Sequence, residues 1–163
     1  MRTYHAIDVA KRFLELAQSE NMSVSNMKLQ KLVFFSQVVS LNVFKQPIHG
    51  QNSLAWDFGP VVQELYDVVH RFVTDTRKQF SLNDADFAAA FSSAQTIDDP
   101  DALNVINAVW NKFKGWTAFQ LSNLTHRPGS PWAHVYAEER YAVIPHALII
   151  SNGFGYDWPE NLG

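Results

Sequence analysis

Apolar positions recur every three or four residues over most of this chain. Between Tyr4 and Ser19 they fall at Ala6, Ile7, Ala10, Phe13, Leu14 and Ala17. That single stripe predicts an amphipathic helix. A second helix is predicted over about 26–44, with Ser25 as its N-cap. Its apolar residues Met27, Leu29, Leu32, Val33, Phe35, Val38, Val39 and Val43 cover more than one stripe. A helix apolar nearly all round belongs at the buried centre of a bundle. Pro47 and Gly50 bound its exit, and 48–58 reads as irregular chain or a small hairpin. Gly59-Pro60 is expected to open the next helix, because the missing proline N–H costs nothing at the first helical position. Val61, Val62, Leu65, Val68, Val69 and Phe72 repeat helically behind it.

Residues 83–91 carry a shorter and weaker helical pattern. Asp99-Pro100 starts a stronger one, lined by Leu103, Ile106, Val109, Trp110 and Phe113, with Gly115 placed as a C-cap glycine. Thr117 and Gln120 match a capping box ahead of Leu121 and Leu124. Ser130-Pro131 starts a helix through Trp132 and Val135 to about Glu139, and Ile144-Pro145 is placed to start a last one. Strand patterning is confined to 46–58 and 140–144, while 74–79 and 92–101 read as loops. The expected fold is mainly α: a compact single-domain bundle of about seven helices over residues 1–163. It leaves room for a small β-hairpin and an irregular tail from about residue 153.

Composition narrows the function. The charge sum, 13 basic against 16 acidic side chains, is −3. That is a poor match for a phosphate backbone, so no nucleic-acid contact is expected. Charged residues make up 18% of the chain and aromatic residues 13%. A weakly charged, aromatic-rich chain suits contact with another protein. The absence of cysteine removes thiol nucleophiles and Cys-ligated metals, and it fits a reducing compartment. Asp8, Lys11, Arg12 and Glu15 interrupt any signal-peptide core. No run reaches the ~18 apolar residues of a spanning helix. A cytoplasmic protein without membrane contact is the expectation.

Signs of catalysis are few. Phosphate-loop, dinucleotide, zincin and nucleophile-elbow patterns are absent. His126, with Thr125 and Ser130 close in sequence, could form a nucleophile–base pair. The stronger reading makes Thr125 and His126 a helix end and Ser130 the cap of the next helix. The six histidines show no spacing that places two ligands on one helix face, so neither metal nor organic cofactor is expected. Lys28 and Lys31 are expected to bury their stems and send their charges to water, with a polar contact site as the alternative. Trp56, Phe58, Trp116 and Trp132 are expected mainly in the core, with an aromatic ligand cleft as the alternative. Asp84, Asp86, Asp98, Asp99 and Asp101 read as solvated surface, with Asp98 or Asp99 as a helix cap. A basic partner surface is their other reading.

Three segments stand out in order and spacing. The first is Met27-Lys28-Leu29-Gln30-Lys31-Leu32-Val33-Phe34-Phe35-Ser36-Gln37. The second runs from Ala55-Trp56-Asp57-Phe58-Gly59-Pro60 through Val61-Val62-Gln63-Glu64-Leu65-Tyr66. The third is Leu121-Ser122-Asn123-Leu124-Thr125-His126 followed by Gly129-Ser130-Pro131-Trp132. Together they resemble the Panacea domain family, the SocA-like antitoxins, over most of the chain. Met27 and Ser36 are mild departures, standing where the family usually has Leu and Ala. The resemblance implies a mainly helical, non-enzymatic domain. It implies an antitoxin of a bacterial or prophage toxin–antitoxin pair that binds and neutralises a cognate toxin protein. Lys28, Leu29, Gln30, Lys31, Trp56, Gly59, Pro60, Thr125, His126, Ser130, Pro131 and Trp132 carry the motifs and read mainly as scaffold. Two other functions stay open at this point. One is an adaptor that delivers a partner to a protease or acts in phage physiology. The other is a small-molecule enzyme using His126.

Overall fold

Helix α2, Asn26–Phe44, is covered on every side from Lys28 to Leu41. Its mixed apolar faces leave no stripe for water, and the other elements pack around it. The computed structural model describes residues 1–153, so the expected irregular tail from about 153 lies almost wholly outside them. Around α2 stand α1 (Ala6–Ser19), α3 (Gln63–His70), α5 (Pro100–Phe113), α6 (Ala118–Thr125) and α8 (His146–Asn152). Short α4 (Ala85–Ala89) and α7 (Pro131–Glu138) complete eight helices among the described residues, against about seven expected. The fold is mainly α and compact.

Local chemistry sets the helix ends. The Ser25 hydroxyl accepts from the Lys28 amide, and Ser130 does the same for Ala133. Thr117 and Gln120 form the reciprocal pair of a capping box. Helix α1 starts at Ala6, two residues later than the pattern suggested. His5 caps it, and Tyr4 is drawn into a parallel bridge with His49 instead. Gly115 does not cap α5. The helix ends at Phe113, and the Lys28 ammonium takes the Lys114 carbonyl at 2.6 Å.

The β structure corrects one expectation. Gly59-Pro60 does not open a helix; it lies in strand β3 (Gly59–Val61), antiparallel to β2 (Leu54–Trp56). Helix α3 begins only at Gln63. Proline fits the strand because its partner, Ala55, turns its hydrogen-bonding groups the other way. The Ala55 amide donates to Ala142 O, and Ala55 O accepts from Tyr141 N. Pro60 therefore stands where the ladder asks for no N–H. The 140–144 stretch thus pairs with the far edge of β2, through a Leu54–Val143 bridge. A second ribbon joins β1 (Val24–Ser25) to β4 (Gln79–Phe80). It takes in the end of the 74–79 loop, and two-residue strands are too short to leave an alternating pattern. No helix among the described residues is long and apolar enough to cross a membrane.

Leu32, fully buried on α2, is the simplest test of this core. Leu32→Ala should lower unfolding free energy by about 2–5 kcal/mol in chemical denaturation.

Candidate functional site

The three motif segments meet on one side of α2, around the tip of the β2–β3 hairpin. The first and third segments hold the second through bonds to its backbone. From α6, the Ser122 hydroxyl donates to Phe58 O at 2.5 Å. From α7, Trp132 Nε1 donates to Trp56 O at 2.8 Å. From α2, Gln30 Oε1 accepts the Val62 amide at 2.9 Å. Gly59 makes the closure possible. Its φ of +115° is in the region only glycine enters freely. A Cβ there would stand 2.6 Å from Lys31 Cε and 2.8 Å from Thr125 Oγ1.

The polar side chains of α2 each have a task, with one exception. Gln30 holds the start of α3, and Lys28 holds the end of α5. Gln37 accepts from the amides of Ile48 and His49 and donates to His49 O. Lys31 is the exception. It is 1% exposed, and its ammonium has a single long contact, 3.4 Å to Pro60 O. Both lysines thus depart from the expectation that their charges reach water. The Lys28 charge ends on a helix carbonyl, and the Lys31 charge ends inside the protein, because α6 and the hairpin close over that face. Burial pushes the Lys31 amine down to about 7. A lysine with so few bonds raises the cost of its own burial.

A run of aromatic contacts spans the hairpin. Trp132 stacks on His126 with ring centroids 3.7 Å apart and on Tyr136 at 4.5 Å. Tyr136 and Tyr141 donate to the two oxygens of Asp57 at 2.8 and 3.0 Å, holding its carboxyl below the ordinary range. Trp56 packs against Tyr66, and Tyr66 stacks on His70. Between α2, the hairpin and Tyr141 lies a cleft of about 290 Å³, lined by Asn26, Lys31, Trp56, Phe58, Tyr66 and Tyr141 among others. Phe58 is 70% exposed at its mouth. Of the four aromatic residues picked from sequence, Trp132 is buried, while Trp56 and Phe58 line this cleft and Trp116 lies at the end of α5. Asn26, Asp57 and Tyr141 were not singled out as site residues. Asp57 and Tyr141 stand 84 positions apart, and only the 141–144 pairing with β2 joins them.

The other sequence candidates have local partners. Thr125 Oγ1 donates to Ser122 O, and Ser130 Oγ donates to Thr125 O, so neither hydroxyl proton goes to the His126 imidazole. Burial, then the nearby Lys31 charge, lowers the affinity of His126 for a proton. Among the described residues no group of three His, Asp or Glu is placed to hold a metal ion. Asp84 caps α4, and Asp99 caps α5 while accepting the Arg2 amide. Asp98 accepts from the Tyr4 hydroxyl and pairs with Arg2, and Asp86 is exposed. Asp101 is half-buried in the first turn of α5. The stretch is therefore split between two helix starts, with much of its charge already engaged.

Comparison with known proteins follows the same segments. The family described as "Antitoxin SocA-like, Panacea domain" matches residues 29–133. That span holds Leu29 through Trp132 of the motifs and well over half of the chain. Antitoxin SocA of Caulobacter vibrioides (strain NA1000 / CB15N) is 29% identical over 128 residues. The alignment covers 76% of this chain and 66% of that relative, just under two thirds of its length. No solved structure gives a significant match.

Two substitutions test this geometry. Trp132, 7% exposed, carries the stack and the bond to Trp56 O. Trp132→Ala should cost about 3–5 kcal/mol in denaturant unfolding. Lys31→Met should leave the fold intact and raise its stability at neutral pH. The sign follows from linkage: the folded lysine has lost its proton above about 7, while the unfolded one keeps it to about 10.4. Wild-type stability relative to Lys31→Met should therefore rise between those two pH values. Paired denaturation curves at pH 6 and pH 10 should show the gap between the proteins narrowing.

Proposed function

Because the chain belongs to the SocA-like antitoxin family built on the Panacea domain, we propose that it neutralises a cognate toxin protein by binding it directly. The observation that carries this reading is the family match over residues 29–133. It takes in the α2, hairpin and α6–α7 segments that the fold brings together around Gly59. A role as a stoichiometric binder also suits the chemistry of the site. Thr125 and Ser130 spend their protons on backbone carbonyls, and His126 lies flat on Trp132. Nothing in that arrangement activates a nucleophile. The surface offers aromatic residues for an interface: Phe58 and Phe119 are each 70% exposed and Tyr141 is 52% exposed. Aromatic residues of this kind supply much of the energy at protein interfaces.

Co-expression with the toxin, found by testing the adjacent reading frame for toxicity, gives the assay. Protection should saturate near one antitoxin per toxin, and the two proteins should co-purify. Full protection by a small fraction of an equivalent would point to turnover and overturn the reading. His126→Ala should protect as well as wild type wherever its melting temperature is retained.

A further inference from the structure

Five polar side chains of α2 lie on faces closed to water between Lys28 and Gln37: Lys28, Gln30, Lys31, Ser36 and Gln37. Four of them bond to backbone, at 2.6 Å for Lys28, 2.9 Å for Gln30, 2.7 Å for Ser36 and 2.9 Å for Gln37. Among the described residues Lys31 has only its 3.4 Å contact with Pro60 O. Five residues earlier, Asn26 is fully buried, and among the described residues its Nδ2 has no hydrogen-bond partner. Its Oδ1 already accepts from Gln30 Nε2. Both unspent groups are therefore donors, and both belong to side chains that line the same 290 Å³ cleft. A buried donor left unpaired costs about 1–3 kcal/mol, and more when charged. Scaffold duty does not explain why two such groups border one cavity.

The walls define the rest of the ligand. Trp56, Tyr66 and Tyr141 give flat aromatic surface, with Met27 and Val61 between them. The one carboxylate on the wall, Asp57, has its oxygens taken by Tyr136 and Tyr141. No described wall residue supplies the acceptors that Lys31 and Asn26 lack. A volume of this size is at the small end of ligand pockets, too small for a helix or strand of a partner. We propose that this cleft is a binding site for a small carboxylic acid with a flat apolar body. The carboxylate meets Lys31 Nζ and Asn26 Nδ2, and the apolar body lies against the contiguous aromatic wall of Trp56, Tyr66 and Tyr141. The cleft shares Phe58 and Tyr141 with the aromatic surface offered to a toxin, yet ligand binding there stands whether or not that reading holds.

Binding also moves a proton. The groups facing Lys31 and the cleft are Asp57, Tyr66 and Tyr141 on its walls and His126 beside the lysine. The Lys31 amine, near 7 when free, takes up a proton as the carboxylate arrives above that pH.

The test uses the full chain and a panel of benzoate, phenylacetate, 3-phenylpropionate and indole-3-acetate, each paired with its primary amide. Calorimetry and amide-resolved NMR report binding. At least one acid should bind saturably and shift the resonances of Asn26, Lys31, Trp56 and Tyr66. Its amide should bind at least tenfold more weakly. Calorimetry at pH 8 in two buffers of different ionisation enthalpy should show close to one proton taken up. Lys31→Met, shown to be folded by its melting curve, should lose at least tenfold in affinity, and Asn26→Leu should lose affinity independently. No saturable binding by any acid, shifts mapping elsewhere, equal binding of acid and amide, or full affinity in folded Lys31→Met would each overturn the proposal. So would Lys31-dependent binding of the blocked acidic dipeptide acetyl-Phe-Glu-amide without binding of any free acid, which would assign the cleft to a segment of a partner protein.

Discussion

A helix enclosed on every side has no water to satisfy its polar groups, so each such group on α2 needs a partner inside the protein. That constraint organises the structure around it. Gln37 closes the loop after α2 by holding the Ile48 and His49 backbone. Gln30 receives the amide of Val62, and so sets where the hairpin ends and α3 begins. Lys28 reaches the carbonyl of Lys114, the C-cap of α5. The polar residues of the central helix thus act as fasteners for chain that would otherwise have no fixed position. Their bonds are strong because the medium around them is dry.

The same enclosure makes Lys31 costly. It sits where α6, the hairpin and α2 close together, and the closure depends on Gly59 having no side chain. A buried lysine is unfavourable taken singly, and the +115° backbone at position 59 is open freely only to glycine. Their occurrence at one contact, at the wall of an aromatic cleft, is how a site differs from a core: stability is given up where a ligand's groups will be received. The stacked His126–Trp132–Tyr136 series stiffens the far side of the hairpin, and the Asp57–tyrosine bonds pin its tip. The cleft is therefore built from elements that have little freedom to collapse into it. Phe58, at the mouth of the cleft, and Phe119, on α6, are the most exposed aromatic residues among those described.

Most of the helical frame was legible in the sequence. The bounds of α2, the caps at Ser25, Asp99, Thr117 and Ser130, and the buried centre all follow from periodicity and capping chemistry, which act within a few residues. The three motifs were equally legible as a family pattern, and the family match covers them. Pro60 was not. Its residue type favours a helix start as much as a strand edge, and Ala142 and Tyr141, some eighty positions later, decide between them by occupying Ala55. The two-residue β1–β4 ribbon left no pattern for the same reason: pairing partners, not composition, define so short a strand.

Lys31 marks the boundary most sharply. Its position on a helix apolar nearly all round was plain from the sequence, and so was its place in a shared motif. Its amine was expected to reach water, because a lysine stem is long enough to end in solvent from many buried positions. The answer depended on what covers that face of α2. It is covered by β3 at Gly59 and Pro60 and by α6 at Thr125, contacts separated from Lys31 by 28 residues or more. Local chemistry thus determined the helices, their caps and the family of this chain. Tertiary structure alone decided which polar groups were left unpaired and that two of them border one cavity. Hydrogen-bond satisfaction belongs to the whole enclosure and not to the residue.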